Sequence, residues 1–329
     1  MFQLAIVGLG PAGIFTLASL PEELLPETLI LERACIGGDL SSQYSSVVAN
    51  ITKEDFIRLF HMIPKWANET FPELNAYSDT TAPKLADICK ILRRLAKPDI
   101  QKAHLHTVAL SNLVQQDNSW NLVTAKETYQ AKKVILCLGA TPKSMDLPLP
   151  SIPLPIALSP TQLAHSVTPA ETIVVFGTSH SGTLILNNLK MLGCERVYAV
   201  YRGKQPFNLT KPGEELKLAA AAIANEIQTN AWGTLTPTLI NYDDFAAMYR
   251  IVSKADMAIY AIGFEPRTFT YTNQAGICNP VTNNTPGIYG FGIGRPRTIK
   301  TPAGESVVDI GFEAFIKAIQ LELPIILST

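Results

Sequence analysis

The chain has 329 residues, of which 47 % are hydrophobic and 17 % are charged; at roughly 100 to 200 residues per domain, this length favours two domains with sizeable cores. It carries 27 Lys and Arg residues against 28 Asp and Glu residues, a net charge of −1. No global field would therefore attract nucleic acid or an anionic membrane, and neither is expected as a partner.

The first residues carry no charge, but glycines interrupt their apolar run well short of the roughly 20 residues that a membrane span needs, so neither a span nor a signal peptide is expected. The five cysteines are far apart and form no CxxC pair: Cys35, Cys89, Cys137, Cys194 and Cys278. This distribution argues against a secreted disulfide framework and against a metal site, and it predicts a cytoplasmic protein.

The N-terminal segment has the pattern of a βαβ unit. An apolar run at residues 2–7 leads into the sequence GLGPAG at 8–13, a helical pattern follows, and the run TLILE ends in Glu32. Such a loop uses its first glycine for a tight turn, its second for close approach to a pyrophosphate, and its third for helix packing. The predicted phosphate-binding residues are Gly8, Gly10, Pro11, Ala12 and Gly13, at the positive end of the helix. Glu32 would accept hydrogen bonds from a ribose, so the first ligand is expected to be an adenine dinucleotide.

The same arrangement returns in the second half of the chain. The apolar run TIVVF precedes GTSHSG at 177–182, a helical segment follows, and the run VYAVY ends just before Arg202. A basic pair, Arg202 and Lys204, replaces the acid and would pair with the 2′-phosphate of NADPH. The predicted contacts in the loop are Gly177, Ser179, His180, Ser181 and Gly182. Because Ser179 replaces the middle glycine, a degenerate unit without nucleotide is the alternative.

Each unit is followed by an apolar strand that ends in G-x-x-P, at Gly139 and at Gly263. Five prolines between 146 and 160 predict a linker, and GIYGFGIG at 287–294, which contains Gly292, is expected to return to the first unit. The predicted fold is α/β with two Rossmann-like dinucleotide-binding domains, the second inserted into the first. The predicted boundaries are 1–150 with 270–329, and 151–269.

Two further stretches carry a family resemblance. ERACIGGDL at 32–40 and YSSVVANITKEDF at 44–56 resemble segments of flavin-containing monooxygenases, and the whole chain resembles flavoproteins with two dinucleotide-binding domains, which include thioredoxin-reductase-like enzymes. The resemblance implies FAD in the first domain and NADPH in the second. It places Gly37 and Gly38 beside FAD, and Asn50 near the reacting edge of the flavin. The remaining residues predicted to contact cofactors on this basis are Arg33, Asp39, Leu40, Gly139, Gly263 and Gly292.

The resemblance implies an oxidoreductase in which NADPH reduces FAD, and FAD passes electrons to oxygen or to a small-molecule or protein acceptor. The missing CxxC and the missing Asp in GIYGFGIG disfavour a strict disulfide reductase. Asn50 and His180 are the candidate catalytic residues; the alternatives are an Asn that caps the next helix and a His at a helix start. Two other functions stay open: an FAD-binding sensor or scaffold, and a ferredoxin or quinone reductase. A homodimer is also left open.

Overall fold

The computed structural model describes residues 1–210, 216–282, 284–300 and 306–328. Its first part comprises β1 (Phe2–Val7), α1 (Pro11–Ala18), β2 (Thr28–Glu32), α2 (Gly38–Ser42), α3 (Lys53–His61), α4 (Leu85–Lys102), β3 (His104–Thr107), β4 (Leu110–Gln115), β5 (Trp120–Thr124) and β6 (Thr128–Leu136). The middle part comprises β7 (Ala140–Pro142), β8 (Ser151–Ile152), α5 (Leu154–Leu158), α6 (Pro160–Leu163), β9 (Thr172–Phe176), α7 (His180–Met191), β10 (Arg196–Tyr201), α8 (Leu218–Gln228), β11 (Thr238–Asn241), α9 (Phe245–Val252), β12 (Met257–Tyr260) and β13 (Phe264–Pro266). The last part comprises β14 (Thr270–Thr272), β15 (Cys278–Pro280), β16 (Ile288–Gly290), β17 (Arg297–Lys300), β18 (Ser306–Asp309) and α10 (Phe312–Ser328).

The larger sheet is built from both ends of the described chain. Its strands follow the order β15-β14-β4-β5-β6-β1-β2-β3, and β16 pairs with the second half of β6. β1 lies parallel to both β2 and β6, so the glycine loop that follows β1 leaves the carboxyl edge of the sheet. Because β14 and β16 join this sheet after the middle part of the chain, the inserted topology is confirmed.

Alternate residues of β1 pack into two separate cores on opposite faces of the larger sheet. Leu4 and Ile6 pack with the apolar faces of α1, α3, α4 and α10, whereas Ala5 and Val7 pack on the opposite face with β2, β5 and β6. A parallel strand covered on both faces is apolar throughout, and this explains the uninterrupted run at the start of the chain. α1 is fixed between β1 and the C-terminal helix by this burial.

The smaller sheet has the order β11-β10-β9-β12-β8, with all of its strands parallel. α5, α7 and α8 cover one of its faces, and α9 covers the other. The strand order reverses direction between β9 and β12, which is where open parallel sheets bind ligands. The loop after β9 begins at this point.

The prediction of a linker over 146–160 is wrong from residue 151 onward. Ser151 and Ile152 form β8 of the smaller sheet, and Leu154 and Leu158 are buried in its core. Of the five prolines that suggested a linker, Pro153 is the N-cap of α5, and Pro155 and Pro160 lie in the first turns of α5 and α6, where a missing N–H costs no hydrogen bond.

The two sheets are connected by a short ribbon. β7 leaves the larger sheet, β13 returns from the smaller one, and the two strands pair antiparallel with Ala140 opposite Pro266. These strands are the ends of the two G-x-x-P sequences. The repeated motif therefore pairs with its own copy where the chain crosses between the sheets.

Candidate functional site

The first glycine loop is closed by backbone packing at its first and third glycines and open at its second. Gly8 has φ +94°, and a Cβ at Gly8 or at Gly13 would overlap a backbone carbonyl, that of Cys137 or that of Gly8. At Gly10 the nearest atom to such a Cβ is the Gly37 carbonyl oxygen, 4.0 Å away. The loop thus keeps open space at the one glycine whose role is to admit a pyrophosphate.

The start of α1 supplies the donors for this space. Gly10 is the N-cap residue and has no side chain to satisfy the first turn, and Pro11 occupies the first helical position. The amides of Ala12 and Gly13 are then unsatisfied donors at the positive end of the helix. This open, donor-lined cradle fits the pyrophosphate of a dinucleotide such as FAD.

Residues predicted from distant parts of the sequence surround the same loop. The Gly37 amide donates to the Leu9 carbonyl at 2.8 Å, and a Cβ at Gly38 would lie 3.0 Å from the Cα of Gly10. From the other end of the chain, Gly292 lies so close to Ala12 that a Cβ there would sit 2.6 Å from the alanine methyl group. Leu40 is partly buried against the core under α1.

Glu32 is buried, with 4 % of its surface exposed. One carboxylate oxygen accepts from the Leu9 amide at 2.6 Å, and the other accepts from the Ala34 amide at 2.9 Å. The side chain therefore ties the glycine loop to the loop after β2. Since each carboxylate oxygen can accept two hydrogen bonds, one acceptor position on each remains for a ribose hydroxyl.

The second loop repeats the backbone of the first. Gly177 has φ +98°, a Cβ there would overlap the Ala261 carbonyl, and one at Gly182 would overlap that of Gly177. Ser179 is the exposed N-cap of α7, and its side chain makes no capping hydrogen bond. The first turn of α7, including Ser181, therefore keeps its amides available to an anion.

Arg202 and Lys204 follow the carboxyl end of β10 and are exposed. Neither forms an ion pair with any residue that the structure describes. The segment that carries them is held over the second loop, because the Thr178 hydroxyl donates to the Pro206 carbonyl and Phe207 is fully buried. Sequence reasoning missed Thr178 and Phe207. No periodic pattern of apolar residues indicates that the aromatic residue shortly after the basic pair is buried.

The second loop lies beside the first half of the chain. Val47, three residues before Asn50, packs against the apolar core under α7, and His180 at the start of α7 is half-buried. Burial lowers the pKa of His180, and the nearby Val48 backbone opposes this effect. Tyr44, in the same segment, makes an edge contact with Phe264 of β13 at 6.2 Å between ring centroids.

Asn50 is exposed, and the alternative that it caps the next helix is wrong. Thr52 is the N-cap of α3: its hydroxyl accepts from the Asp55 amide, and the Asp55 carboxylate accepts from the Thr52 amide. This reciprocal capping box satisfies two amides of the first turn at once, which a single Asn cap does not. The amide of Asn50 remains available to a ligand.

Two predicted residues, Arg33 and Asp39, form an ion pair with a third that sequence reasoning missed. Arg33 lies 2.7 Å from one Asp39 oxygen, and Arg267 lies 2.5 Å from the other. Gly139, with φ +72°, adjoins the Arg267 guanidinium, and the Gly263 carbonyl accepts from the Lys143 amide at 3.0 Å. Both glycines of the G-x-x-P motifs therefore lie at the crossover ribbon.

A cavity of about 310 Å³ opens beside this ribbon, at the carboxyl ends of β8 and β12. Its apolar walls include Ile152, Leu154 and Tyr260, and the polar side chains that line it are Gln43, Lys143, Ser144 and Ser151. Apolar walls with a few polar groups are typical of small-molecule sites.

No helix among the described residues is long and apolar enough to cross a membrane.

Comparison with known proteins identifies the family. Residues 5–280 match the pyridine nucleotide-disulphide oxidoreductase family. The chain belongs to this family. This match confirms the resemblance to the family of FAD- and NAD(P)H-binding flavoproteins.

Individual relatives point to both monooxygenases and reductases. The chain is 26 % identical over 211 residues to the monooxygenase AgnR1 of Paecilomyces divaricatus, which covers 56 % of this chain and 54 % of that protein. The match thus spans about half the length of the relative.

Three solved structures share the fold. The flavin-containing monooxygenase of Stenotrophomonas maltophilia has TM-score 0.64 at 12 % identity, covering 100 % and 99 % of the two chains.

The other two are reductases. The bacillithiol disulfide reductase Bdr (YpdA) of Staphylococcus aureus has TM-score 0.62 at 14 % identity, covering 98 % of each chain. The thioredoxin reductase of Lactococcus lactis has TM-score 0.57 at 14 % identity, covering 100 % of each chain. The oxidoreductase family favours an enzyme over the sensor or scaffold alternative, and these structures show the fold without separating monooxygenase from reductase.

Proposed function

We propose that NADPH at the second loop reduces FAD at the first, and that the electrons then pass to oxygen or a small acceptor, as in a monooxygenase. One observation carries the proposal. Tyr44 and Val47, shortly before Asn50, pack against the core of the smaller sheet and of α7, so the two nucleotide cradles converge on one region of the protein. When bound, FAD supplies the chemistry of hydride acceptance and electron transfer.

The residues of this chain have the following roles in the proposal. The amides at the start of α1 and the open space at Gly10 bind the FAD pyrophosphate, and Glu32 accepts from its ribose. The amides at the start of α7 bind the NADPH pyrophosphate. Arg202 and Lys204, which have no ion-pair partner among the described residues, bind the 2′-phosphate as charge-assisted hydrogen-bond donors. The proposed FAD-binding domain is 1–150 with 270–329, part of which lies outside the described residues, and the proposed NADPH-binding domain is 151–269.

Asn50 and His180 are the proposed contacts near the reacting end of the two nucleotides. The Asn50 amide can donate or accept a hydrogen bond without changing protonation. His180 stays neutral at pH 7, because burial lowers its pKa, so it places no positive charge beside the nucleotides. Both side chains orient ligands in this account, and neither is required to store a proton.

Three of the five thiols are poorly suited to carry electrons away from the flavin. Burial raises the pKa of Cys137 to about 12 and that of Cys89 to about 11, and it also raises the pKa of Cys194. A thiol is nucleophilic only as thiolate, so these three are poor partners for disulfide exchange. With no CxxC in the sequence, we propose a small-molecule acceptor in preference to a protein disulfide.

The purified holoenzyme tests both halves of the proposal. Anaerobic mixing with NADPH should bleach the flavin absorbance within the turnover time, and readmission of oxygen should restore it. Monooxygenase chemistry predicts less than one hydrogen peroxide released per NADPH consumed when an amine or sulfide substrate is present. Stoichiometric peroxide under every substrate tested would contradict the monooxygenase function, and rapid reduction of menadione would then favour a quinone reductase.

We place the acceptor in the cavity beside the crossover ribbon. Ser144 is exposed on its wall, so Ser144→Trp fills space without disturbing a core. The variant should keep the wild-type rate of anaerobic reduction by NADPH and should lose turnover of the acceptor that wild type uses, whether an amine or sulfide substrate or menadione. An unchanged turnover rate with that acceptor would exclude the cavity as the acceptor site.

A further inference from the structure

Arg267 is the first residue after β13, where the chain returns from the inserted sheet. Its backbone amide donates to the Gly139 carbonyl at 3.2 Å, and one guanidinium nitrogen, Nη1, donates to the Leu138 carbonyl at 2.8 Å. Leu138 and Gly139 lie just before β7, where the chain leaves the larger sheet. Arg267 therefore connects the segment that leaves the larger sheet to the segment that returns from the smaller one.

The other guanidinium nitrogen, Nη2, lies 2.5 Å from Asp39. Asp39 follows Gly37 and Gly38, which pack against the first glycine loop, and it also accepts from Gln43 at 3.1 Å. The Arg267 and Asp39 side chains each expose only 22 % of their surface, so the pair is partly shielded from solvent. The planar guanidinium uses its two nitrogens for two different segments, which a lysine cannot reproduce.

We propose that Arg267 is a positioning residue that aligns the two cofactor cradles. It joins the loop beside the first glycine motif to both strands that carry the inserted domain, and so it fixes the angle at which the second cradle faces the first. This inference rests on the proposed function. Loss of the contact should leave each nucleotide bound and impair the step that needs both, because hydride transfer depends steeply on the alignment of donor and acceptor.

Arg94, on α4, provides a matched control. Like Arg267, it joins a carboxylate and a backbone carbonyl of another segment: its Nε donates to Glu73 and its Nη2 donates to the Thr70 carbonyl, each at 2.8 Å. All of its side-chain hydrogen bonds go to residues 69–73. Arg94→Met therefore removes a comparable pair of contacts without touching the crossover strands, whereas Arg267→Met removes the contacts to Leu138 and Asp39.

Anaerobic stopped-flow reduction of the holoenzymes by NADPH gives the first readout. For Arg267→Met we expect the limiting reduction rate to fall roughly tenfold or more, with FAD content and the NADPH dissociation constant within about twofold of wild type. Arg267→Lys should fall in between, and Arg94→Met should match wild type. An unchanged limiting rate in Arg267→Met, or an equal loss in Arg94→Met, would overturn the proposal.

Hydrogen exchange of the holoenzymes gives a readout that does not depend on NADPH. Arg267→Met should exchange faster than wild type in residues 37–43 and in both ribbon strands, and Arg94→Met should not. If Arg267→Met is recovered without FAD, Asp39→Asn tests the same contact with little change in volume. Wild-type enzyme that NADPH fails to reduce would refute the proposed function alone, whereas unchanged exchange in the ribbon of both Arg267→Met and Asp39→Asn would refute the positioning role.

Discussion

Gly10 and Ser179 occupy the same position in their two loops, with φ −70° and −76° and ψ −174° and −168°. Neither φ is positive, so the backbone requires glycine at neither position. The conformational demands lie instead at Gly8 and Gly177, where φ is +94° and +98°. The replacement of the middle glycine in the second loop therefore changes the room for a ligand and leaves the fold of the loop as it was.

The ribose ends of the two units differ more. Glu32 is buried and already holds two backbone amides, whereas Arg202 is exposed and has no ion-pair partner among the described residues. Glu32 is thus part of the structure of the first loop, whereas the Arg202 side chain is available to bind a ligand. This contrast predicts that substitutions in the first unit affect stability and cofactor together, and that those around Arg202 affect the cofactor alone.

The largest effect is expected at the third glycines. Gly13→Ala places a methyl group into the Gly8 carbonyl, and Gly182→Ala does the same to Gly177. Overpacking of this kind costs about 1–3 kcal/mol of unfolding free energy. Urea unfolding measures it, with Gly10→Ala as control, because a Cβ there would meet only the Gly37 carbonyl oxygen, at an ordinary contact distance of 4.0 Å. Equal destabilisation in Gly10→Ala would contradict the distinction between the glycines packed against backbone carbonyls and the glycine beside open space.

Glu32→Gln should come next. The substituted amide can accept only at its oxygen, so either the Leu9 or the Ala34 amide loses its partner, at a cost of about 1–3 kcal/mol. We expect a lower melting temperature and less FAD per chain, measured by calorimetry and by flavin released on denaturation. Glu27→Gln, an exposed acid just before β2, should alter neither.

Arg202→Met combined with Lys204→Met should change nucleotide preference. Exposed charge pairs contribute up to about 1 kcal/mol each, so the preference for NADPH over NADH should fall roughly tenfold or more. Steady-state kcat/KM for the two nucleotides measures this ratio. Arg196→Met, at the opposite end of β10, is the matched control, and an equal fall in that variant would remove the 2′-phosphate assignment.

Ser179→Gly should have a smaller effect, and it should strengthen nucleotide binding rather than weaken it. The extra room at the middle position should tighten NADPH binding by a few-fold, with FAD content unchanged, since the backbone at Ser179 already has the conformation seen at Gly10. Titration of NADP⁺ by calorimetry tests it. Weaker binding would mean that the serine hydroxyl is itself a phosphate ligand.

His180 should give the smallest effect, through pH. Its pKa is lowered in the folded protein, so below the unfolded value of about 6.5 the unfolded chain binds a proton that the folded chain does not. Stability should therefore be full above that pH and should fall as the pH drops through it, with a slope of at most one proton. Denaturant titrations between pH 7 and pH 5 should show a shallower slope for His180→Asn. An identical slope would mean that burial does not lower the pKa of His180.

The sequence predicted the features that depend on local spacing. Glycine spacing and apolar runs identified both βαβ units, and the inserted topology was predicted from the expected return of residues 287–294 to the first unit. Features set by contacts between distant segments could not be read in this way. Arg267 has no motif of its own, and its importance comes from Leu138 and Asp39, which the fold brings to it. The prolines from Pro153 to Pro160 misled because one composition suits both a linker and the first turn of a helix.

The division of the two cofactors between the two loops is tested most directly by one pair of variants. Gly10→Val and Ser179→Val each add a side chain at the open position of one loop, with a backbone that valine tolerates. FAD content and the NADP⁺ dissociation constant are measured for both folded proteins. The account predicts that Gly10→Val loses FAD, and that Ser179→Val keeps FAD and binds NADP⁺ more weakly. Loss of FAD from Ser179→Val, or full FAD in Gly10→Val, would contradict it.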